Sequence, residues 1–228
     1  MFSIVIPLFN EVDNIVPLVN DIYESLKEYQ NYEVILINDA STDKTLEKIN
    51  QIKNKKLRII SNTRNLGQSF SIHNGIKNST FNIIVTLDGD GQNNPADIPQ
   101  LLEYYISNSD IFLVGGIRTK RMDSVLKVIS SKIANSIRSK ILKDNCQDTG
   151  CSLKVFDKNI FLKFPYFNGI HRFLPALFKG FGYKTTFMQV SHRKRKYGYS
   201  KYGTMNRLFK GIRDIIIVKQ ILKNKNKY

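Results

Sequence analysis

The sequence predicts an α/β fold, a mostly parallel sheet flanked by helices and followed by an amphipathic C-terminal helix. Three observations lead there. Short apolar runs alternate with amphipathic stretches throughout the first half of the chain. Acidic residues stand just past three of those runs, at Glu11, Asp39 and Asp88/Asp90. The last stretch, Met205–Leu222, repeats apolar residues at helical spacing between lysines and arginines.

Taken in order, Ile4–Pro7 is expected as the first strand. Asp13 is expected to cap a helix running to about Tyr29, with Ile15, Leu18, Val19, Ile22 and Leu26 on one face. Glu33–Asn38 is the second strand; Val34 to Ile37 are continuously apolar, as in a strand covered on both faces. Ser41 or Thr42 caps a helix to about Ile52. Leu57–Ser61 is the third strand, and a helix follows over about Gly67–Lys77. Asn82–Leu87 is the fourth strand and runs into Asp88. Pro95 opens a helix to about Ile106, and Ile111–Gly115 is the fifth strand. A long helix is expected from about Asp123 to Leu142. Beyond it an irregular Gly-, Phe- and Pro-containing stretch leads to a basic segment, His192–Gly203. Residues 1–203 then form one domain and 204–228 an appended basic helix and tail. In that helix Met205, Leu208, Phe209, Ile212, Ile215, Ile216 and Leu222 share one face, flanked by Arg207, Lys210, Arg213 and Lys219.

A chain of 228 residues with a hydrophobic fraction of 42% suits one self-sufficient globular domain. No apolar run approaches the roughly 18–20 residues of a membrane-spanning helix. The N-terminus lacks a basic region before its apolar run and reads as a strand, not a secretory signal. Cys146 and Cys151 form neither a CxxC pair nor a disulfide framework, so a reduced, cytoplasmic setting is expected. Charge is the strongest global signal: 35 Lys+Arg against 19 Asp+Glu give a net +16. The acidic residues gather in the first half and the basic ones dominate from Arg118 onward. Such a balance implies an anionic partner: nucleic acid, a membrane surface or phosphorylated substrates.

In an open α/β sheet, ligands bind at the carboxyl ends of the strands, where the three acidic motifs stand. Asp88-Gly89-Asp90-Gly91-Gln92 reads as a hard-cation site, with two carboxylates and an amide oxygen to hold Mg²⁺ or Mn²⁺ and positions left for diphosphate oxygens. A calcium EF-hand is excluded, because the loop lacks Gly at its sixth position and has Pro99 at its twelfth. No GxxxxGK[ST] and no GxGxxG follows the first strand, which argues against a Walker NTPase or a dinucleotide dehydrogenase.

The ordered set Ile4-Val5-Ile6-Pro7-Leu8-Phe9-Asn10-Glu11, Ile37-Asn38-Asp39-Ala40-Ser41-Thr42-Asp43 and Asp88-Gly89-Asp90-Gly91-Gln92 resembles the family 2 glycosyltransferases. Within them it is similar to the branch of dolichol-phosphate mannose synthases and polyprenyl-phosphate glycosyltransferases. Gly116-Ile117-Arg118, Asp148-Thr149-Gly150-Cys151, His171-Arg172-Phe173, His192-Arg193-Lys194-Arg195 and Gly198-Tyr199-Ser200-Lys201-Tyr202-Gly203 extend the resemblance over roughly residues 2–215. It implies a GT-A fold and an inverting, metal-dependent transfer from a UDP- or GDP-sugar to a polyprenyl phosphate. By the same resemblance Pro7, Asn10, Glu11 and Asp39 hold the nucleotide, and Asp88, Asp90 and Gln92 hold metal and diphosphate. This chain has Asn38-Asp39 where many relatives carry two aspartates.

A lipid phosphate beside a nucleotide diphosphate needs its charge offset. Arg118, Lys127, Ser131, Arg172, Arg195 and Lys201 are the candidates. Lys127 and Ser131 lie four apart on the expected long helix, hence on one face. Arg193 or Arg195 is expected to close over the diphosphate. Asp148 takes the position of the family's acidic residue near the acceptor, as a general base or as an orienting group. A phosphate monoester, with a second pKa near 6, is already largely ionised at neutral pH. The C-terminal helix is expected to lie on an anionic membrane surface at its cytoplasmic face. An integral-membrane protein or a second copy of the chain would be further partners. A saccharide hydroxyl is the alternative acceptor. A nucleic-acid-binding protein is the distant alternative, because basic residues interleave with Tyr197 and Tyr199; it leaves the acidic motifs without a purpose, and no nucleic-acid partner is expected.

Overall fold

The computed structural model describes residues 1–119, 136–198 and 204–228, with side chains from Lys210 onward in the last segment. The described strands are β1 Phe2–Leu8, β2 Tyr32–Asn38, β3 Leu57–Ser61, β4 Ile83–Thr86, β5 Ile111–Arg118, β6 Lys154–Asp157 and β7 Lys184–Val190. They form one sheet in the order β3-β2-β1-β4-β6-β5-β7. β1 is flanked by β2 and β4 in parallel, β2 by β3 in parallel, and β7 runs parallel to β5. Only β6 is antiparallel to its neighbours, β4 and β5.

Both faces of the sheet are covered, which is why its central strands are apolar without interruption. Along β1 and β2, Ile4, Ile6, Leu8, Val34 and Leu36 point to one core, while Val5, Ile35 and Ile37 point to the other. The first core is closed by α1 (Ile15–Ser25) and α4 (Ile98–Ser107), through Ile15, Leu18, Val19, Ile22, Leu101 and Leu102, and by Ile49 of α2 (Thr45–Asn50). The second is closed by α3 (Gln68–Lys77), by α6 (Lys158–Lys163) and by α7 (Leu174–Gly180). The helical residues 136–142, α5, add Leu142, and α8 (Thr204–Lys223) adds Val218 and Ile221. Among the described residues no helix is long and apolar enough to cross a membrane.

Several expectations are corrected. α1 starts after Asn14, not Asp13, and Asn14 makes no side-chain cap. α2 starts after Lys44, with Asp43 Oδ1 accepting from the Thr45 amide at 2.9 Å, so neither Ser41 nor Thr42 caps it. The stretch beyond residue 142 is not irregular: it supplies β6, α6, α7 and β7. β6 has only four residues and runs straight into α6, too short for periodicity to mark it. The expected apolar face of α8 is divided. Ile215 and Leu222 turn inward with Val218 and Ile221, whereas Ile212 and Ile216 are each 52% exposed. The inward stripe follows 214, 218 and 221, set by Asp214 and by the fit of Leu222 against Gly180. Lys127, Ser131 and Lys201, with most of the long helix expected from Asp123, lie outside the described residues.

Because α8 shares the second core, truncating its inner face should destabilise the whole domain. Ile221→Ala is expected to lower the unfolding free energy by about 2–4 kcal/mol in denaturant melts. A loss under about 0.5 kcal/mol would mean that the helix is energetically separate from residues 1–203.

Candidate functional site

The carboxyl ends of β2, β1 and β4 lie side by side, and the first two end in loops zipped together. Asn10, with φ 54°, donates its backbone N–H to Ser41 Oγ at 3.0 Å. Its side-chain oxygen accepts from the Thr42 amide at 2.8 Å. Glu11 is buried; its amide donates to Thr45 Oγ1 at 2.9 Å and its carboxylate accepts from Asn14 Nδ2 at 2.7 Å. Pro7, in a central strand, is tolerated for a local reason. Val5 accepts from Leu87 on the β4 side, and the β4 ladder ends at the Val5–Thr86 pair. The N–H that Pro7 lacks would face that same side, where no further rung exists.

Asp39 is almost fully buried. Its carboxylate accepts from Asn62 Nδ2 (2.8 Å), the Leu66 amide (2.9 Å) and the Gly67 amide (2.8 Å). It therefore anchors the loop that enters α3, with its negative charge at that helix's positive end.

The acidic loop after β4 folds over the end of β1. A Cβ at Gly89 would come within 2.4 Å of Leu8 Cδ2 and 3.0 Å of the Pro7 carbonyl oxygen, so only glycine permits this approach. Asp88 Oδ1 accepts from Gln68 Nε2 at 2.6 Å, and Asp90 Oδ1 from the Gln92 amide at 3.1 Å. The basic segment docks along this loop. His192 bridges to Asn93, and the Arg193 amide donates to the Gln92 carbonyl at 2.9 Å. Arg195 Nη2 lies 2.5 Å from Asp90 Oδ2, and its Nη1 lies 3.9 Å from Glu11 Oε1. Arg193 points away, to Asp21 and Asn94. Of the two arginines expected near the diphosphate, Arg195 faces the acidic loop.

Burial and the neighbouring Asp90 charge push the Asp88 carboxyl up to about 6, against relief from Ser152, Lys154 and Arg118. The loop thus gathers two carboxylates, one of them poorly solvated, as hard oxygen donors. A divalent cation with an affinity for oxygen fits that set. Among the described residues no group of three His, Cys, Asp or Glu is arranged to hold a metal alone. A cation held here would need further ligands beyond these two carboxylates.

Behind the loop lies a second cluster. Arg118 grips Asp148 with Nε at 2.7 Å and Nη2 at 2.8 Å, and its amide adds a contact of 3.2 Å. Ser152 Oγ donates to Asn93 Oδ1 at 2.5 Å, Thr86 Oγ1 donates to the Ser152 carbonyl at 2.6 Å, and the buried Lys154 ammonium donates to the Cys151 carbonyl. Thr86, Ser152, Lys154 and His171 line a small cavity with Ile72 and Leu174. Arg172 lies farther out, paired with Asp214 at 2.5 Å. The structure therefore brings Pro7, Asn10, Glu11, Asp39, Asp88, Asp90, Gln92 and Arg195 to one edge. Arg118 and Asp148 stand together as a pair behind it. Sequence reasoning missed Gln68, Asn93, Ser152 and Lys154. The last three depend on β6 entering the sheet beside β4, and no local signal in the sequence announces that.

The model for glycosyl transferase family 2 matches residues 3–165. A dodecaprenyl-phosphate galacturonate synthase of Rhizobium johnstonii is 34% identical over 98% of this chain and 68% of its own length. An undecaprenyl-phosphate 4-deoxy-4-formamido-L-arabinose transferase of Aeromonas hydrophila is 33% identical over 90% of this chain and 64% of its own. The chain thus spans about two thirds of the length of these relatives. Among solved structures, glucosyl-3-phosphoglycerate synthase from Mycobacterium tuberculosis, in complex with Mn²⁺, uridine diphosphate and phosphoglyceric acid, superposes with a TM-score of 0.69. It does so at 18% identity, over 97% of this chain and 78% of that one. The shared fold is GT-A, and the match to the family model across β1, β2, β4 and the acidic loop shows that this chain belongs to glycosyl transferase family 2.

Proposed function

We propose that this chain carries the catalytic domain of an inverting glycosyltransferase that moves a sugar from a nucleotide diphosphate onto a polyprenyl phosphate at a membrane surface. The observation that carries the reading is the Asp88–Asp90 pair at the carboxyl edge of β4, faced by Arg195. The relatives' names, which specify dodecaprenyl and undecaprenyl phosphates, support the acceptor. The Mn²⁺ and uridine diphosphate in the structural neighbour support the cofactor and donor class.

In this reading Pro7, Asn10, Glu11 and Asp39 form the floor for base and ribose. Asp39 acts there by fixing the Leu66–Gly67 loop, since its own oxygens are engaged. Asp88, Asp90 and Gln92 hold Mg²⁺ or Mn²⁺, which when bound supplies Lewis-acid neutralisation of the leaving diphosphate. Arg195 donates to the same diphosphate, and Arg118 and Arg172 to the acceptor phosphate, with Lys127, Ser131 and Lys201 assigned to it by family resemblance alone. A phosphate oxygen attacks the anomeric carbon from the face opposite the diphosphate. The new C–O bond forms as the old one breaks, and its electron pair leaves with the nucleotide. The attacking monoester is already ionised at neutral pH, so no proton has to be removed. Asp148, with Arg118 on both of its oxygens, then serves to orient Arg118. The rate comes from in-line positioning and from neutralised charge.

The outer face of α8 supports attachment to the membrane. Ile212 and Ile216 are exposed between Lys210, Arg213 and Lys219, a pattern suited to an anionic cytoplasmic leaflet, met directly or through an integral-membrane partner or a second copy.

Release of nucleotide diphosphate from a panel of UDP- and GDP-sugars, with and without a short polyprenyl phosphate and Mg²⁺ or Mn²⁺, tests the reading. It is expected to require both lipid phosphate and metal. Metal-dependent release that ignores the lipid would move the acceptor to a saccharide hydroxyl. Asp90→Ala should reduce turnover by about 10²-fold or more with an unchanged melting curve. Near-normal turnover at saturating metal would remove Asp90 from the site. Since Asp88 titrates at about 6, protons compete with metal below that pH. The Mn²⁺ affinity of the protein is expected to be about ten-fold weaker at pH 5 than at pH 7, read by titration, and a flat profile would exclude Asp88 as a ligand. Replacing Ile212 and Ile216 together by Glu should abolish binding to phosphatidylglycerol vesicles without altering nucleotide affinity.

A further inference from the structure

The turn that carries Arg172 is built around a carboxylate from α8. Gly169 has φ 127°, and a Cβ there would lie 2.4 Å from Asp214 Oδ2. The residue must therefore be glycine for the acid to enter. Asp214 is 4% exposed and pairs with Arg172 Nη2 at 2.5 Å, whereas the Arg172 side chain keeps 32% of its surface open to solvent. Among the described residues Arg172 Nε has no hydrogen-bond partner, and Asp214 meets the guanidinium at Nη2.

On its other side the same turn is pinned to the first turn of α3. Ser69 Oγ accepts from the Gly169 amide at 2.8 Å and lies 2.8 Å from His171 Nδ1. Burial pushes the His171 imidazole down to about 3, so it is neutral and shares a hydrogen bond with the Ser69 hydroxyl. The preceding residue, Gln68, is the one that holds Asp88. A contiguous path therefore runs from Asp88 through the first turn of α3 and the 169–172 turn to Asp214. Asp214 lies two residues from both Ile212 and Ile216, about 200° around the helix from each. The face that holds Arg172 is thus opposite the exposed apolar pair on one rigid element.

We propose that Asp214 is a positioning residue for the acceptor: it sets the Arg172 guanidinium for the lipid phosphate, and so makes α8 a structural part of the acceptor side as well as a surface element. This rests on the reading of Arg172 as an acceptor-phosphate contact. A free arginine on a turn samples many rotamers; one tethered to a buried acid presents its remaining donors in one direction. An incoming phosphate then finds the donors already oriented.

The test is steady-state kinetics of the full chain with a short polyprenyl phosphate, comparing wild type, Asp214→Asn and Arg172→Lys, with melting curves for each. Asp214→Asn is expected to raise KM for the lipid phosphate about ten- to hundred-fold while KM for the nucleotide sugar stays within about two-fold. Arg172→Lys, which keeps the charge but loses the fork, should act in the same direction. An Asp214→Asn protein with unchanged acceptor KM, whether or not its melting temperature falls, overturns the proposal by making the pair a structural clasp only. A parallel rise of both KM values overturns it too, as a general loosening. If the wild type itself does not depend on lipid phosphate, the underlying acceptor reading fails in the control arm, and the proposal falls with it.

Discussion

Two carboxylates one residue apart, Asp88 and Asp90, dominate the carboxyl edge because both cannot remain charged in a half-buried loop without compensation. Burial and the neighbouring Asp90 charge together push the Asp88 carboxyl up to about 6. Much of the surrounding architecture serves to contain that charge. Gln68 donates to one acid and Arg195 covers the other, while the buried Lys154 ammonium and the Arg118 guanidinium contribute positive potential from behind. Asp39, by contrast, is fully compensated by two amides and an asparagine. Acids with the same placement at strand ends thus fall into two kinds. One is committed to holding a loop, and the other is the pair proposed to hold a cation.

Much of this was legible in the sequence. The first five strands and the helices between them announce themselves through continuous apolar runs and 3.6-residue periodicity, because covered parallel strands have few alternatives. The acidic motifs could be placed at one edge from the topology rule alone. What could not be read depends on long-range pairing. β6 is four residues long, and its position between β4 and β5 brings Ser152 and Lys154 behind Asp88 from about 65 residues away. The cap positions failed for a smaller reason: Ser41 and Thr42 are engaged by Asn10 across the loops, so they are not available to α2. The outer face of α8 was misjudged because four consecutive apolar residues, Ile215 to Val218, leave the helical phase ambiguous until a packing partner fixes it.

The charge asymmetry of the chain also acquires a spatial meaning. The acids of the first half line the edge where the divalent cation and nucleotide are proposed to bind. The basic segment 192–197 returns from the far side of the sheet to run along them, through the His192–Asn93 bridge and the Asn14 contact to the Tyr197 carbonyl at 3.3 Å. Opposite charges distributed over separate parts of the sequence meet at one place. Pairing there removes both signs equally, so the net +16 is left to the rest of the surface.

The antiparallel insertion of β6 also has a consequence for how the chain is made. On the ribosome, β1 to β4 can pair as soon as residue 86 has emerged, yet β4 keeps an open edge until Lys154–Asp157 arrives. At about 5–20 residues per second that interval lasts roughly 3–14 seconds. During this time β5 has been synthesised but has neither of its neighbours, β6 and β7. A nascent chain with one unpaired edge and one orphan strand is the species most exposed to wrong pairing. Synonymous codons that slow translation between residues 86 and 154 would lengthen that window, so the yield of folded protein should be sensitive to elongation speed in this stretch.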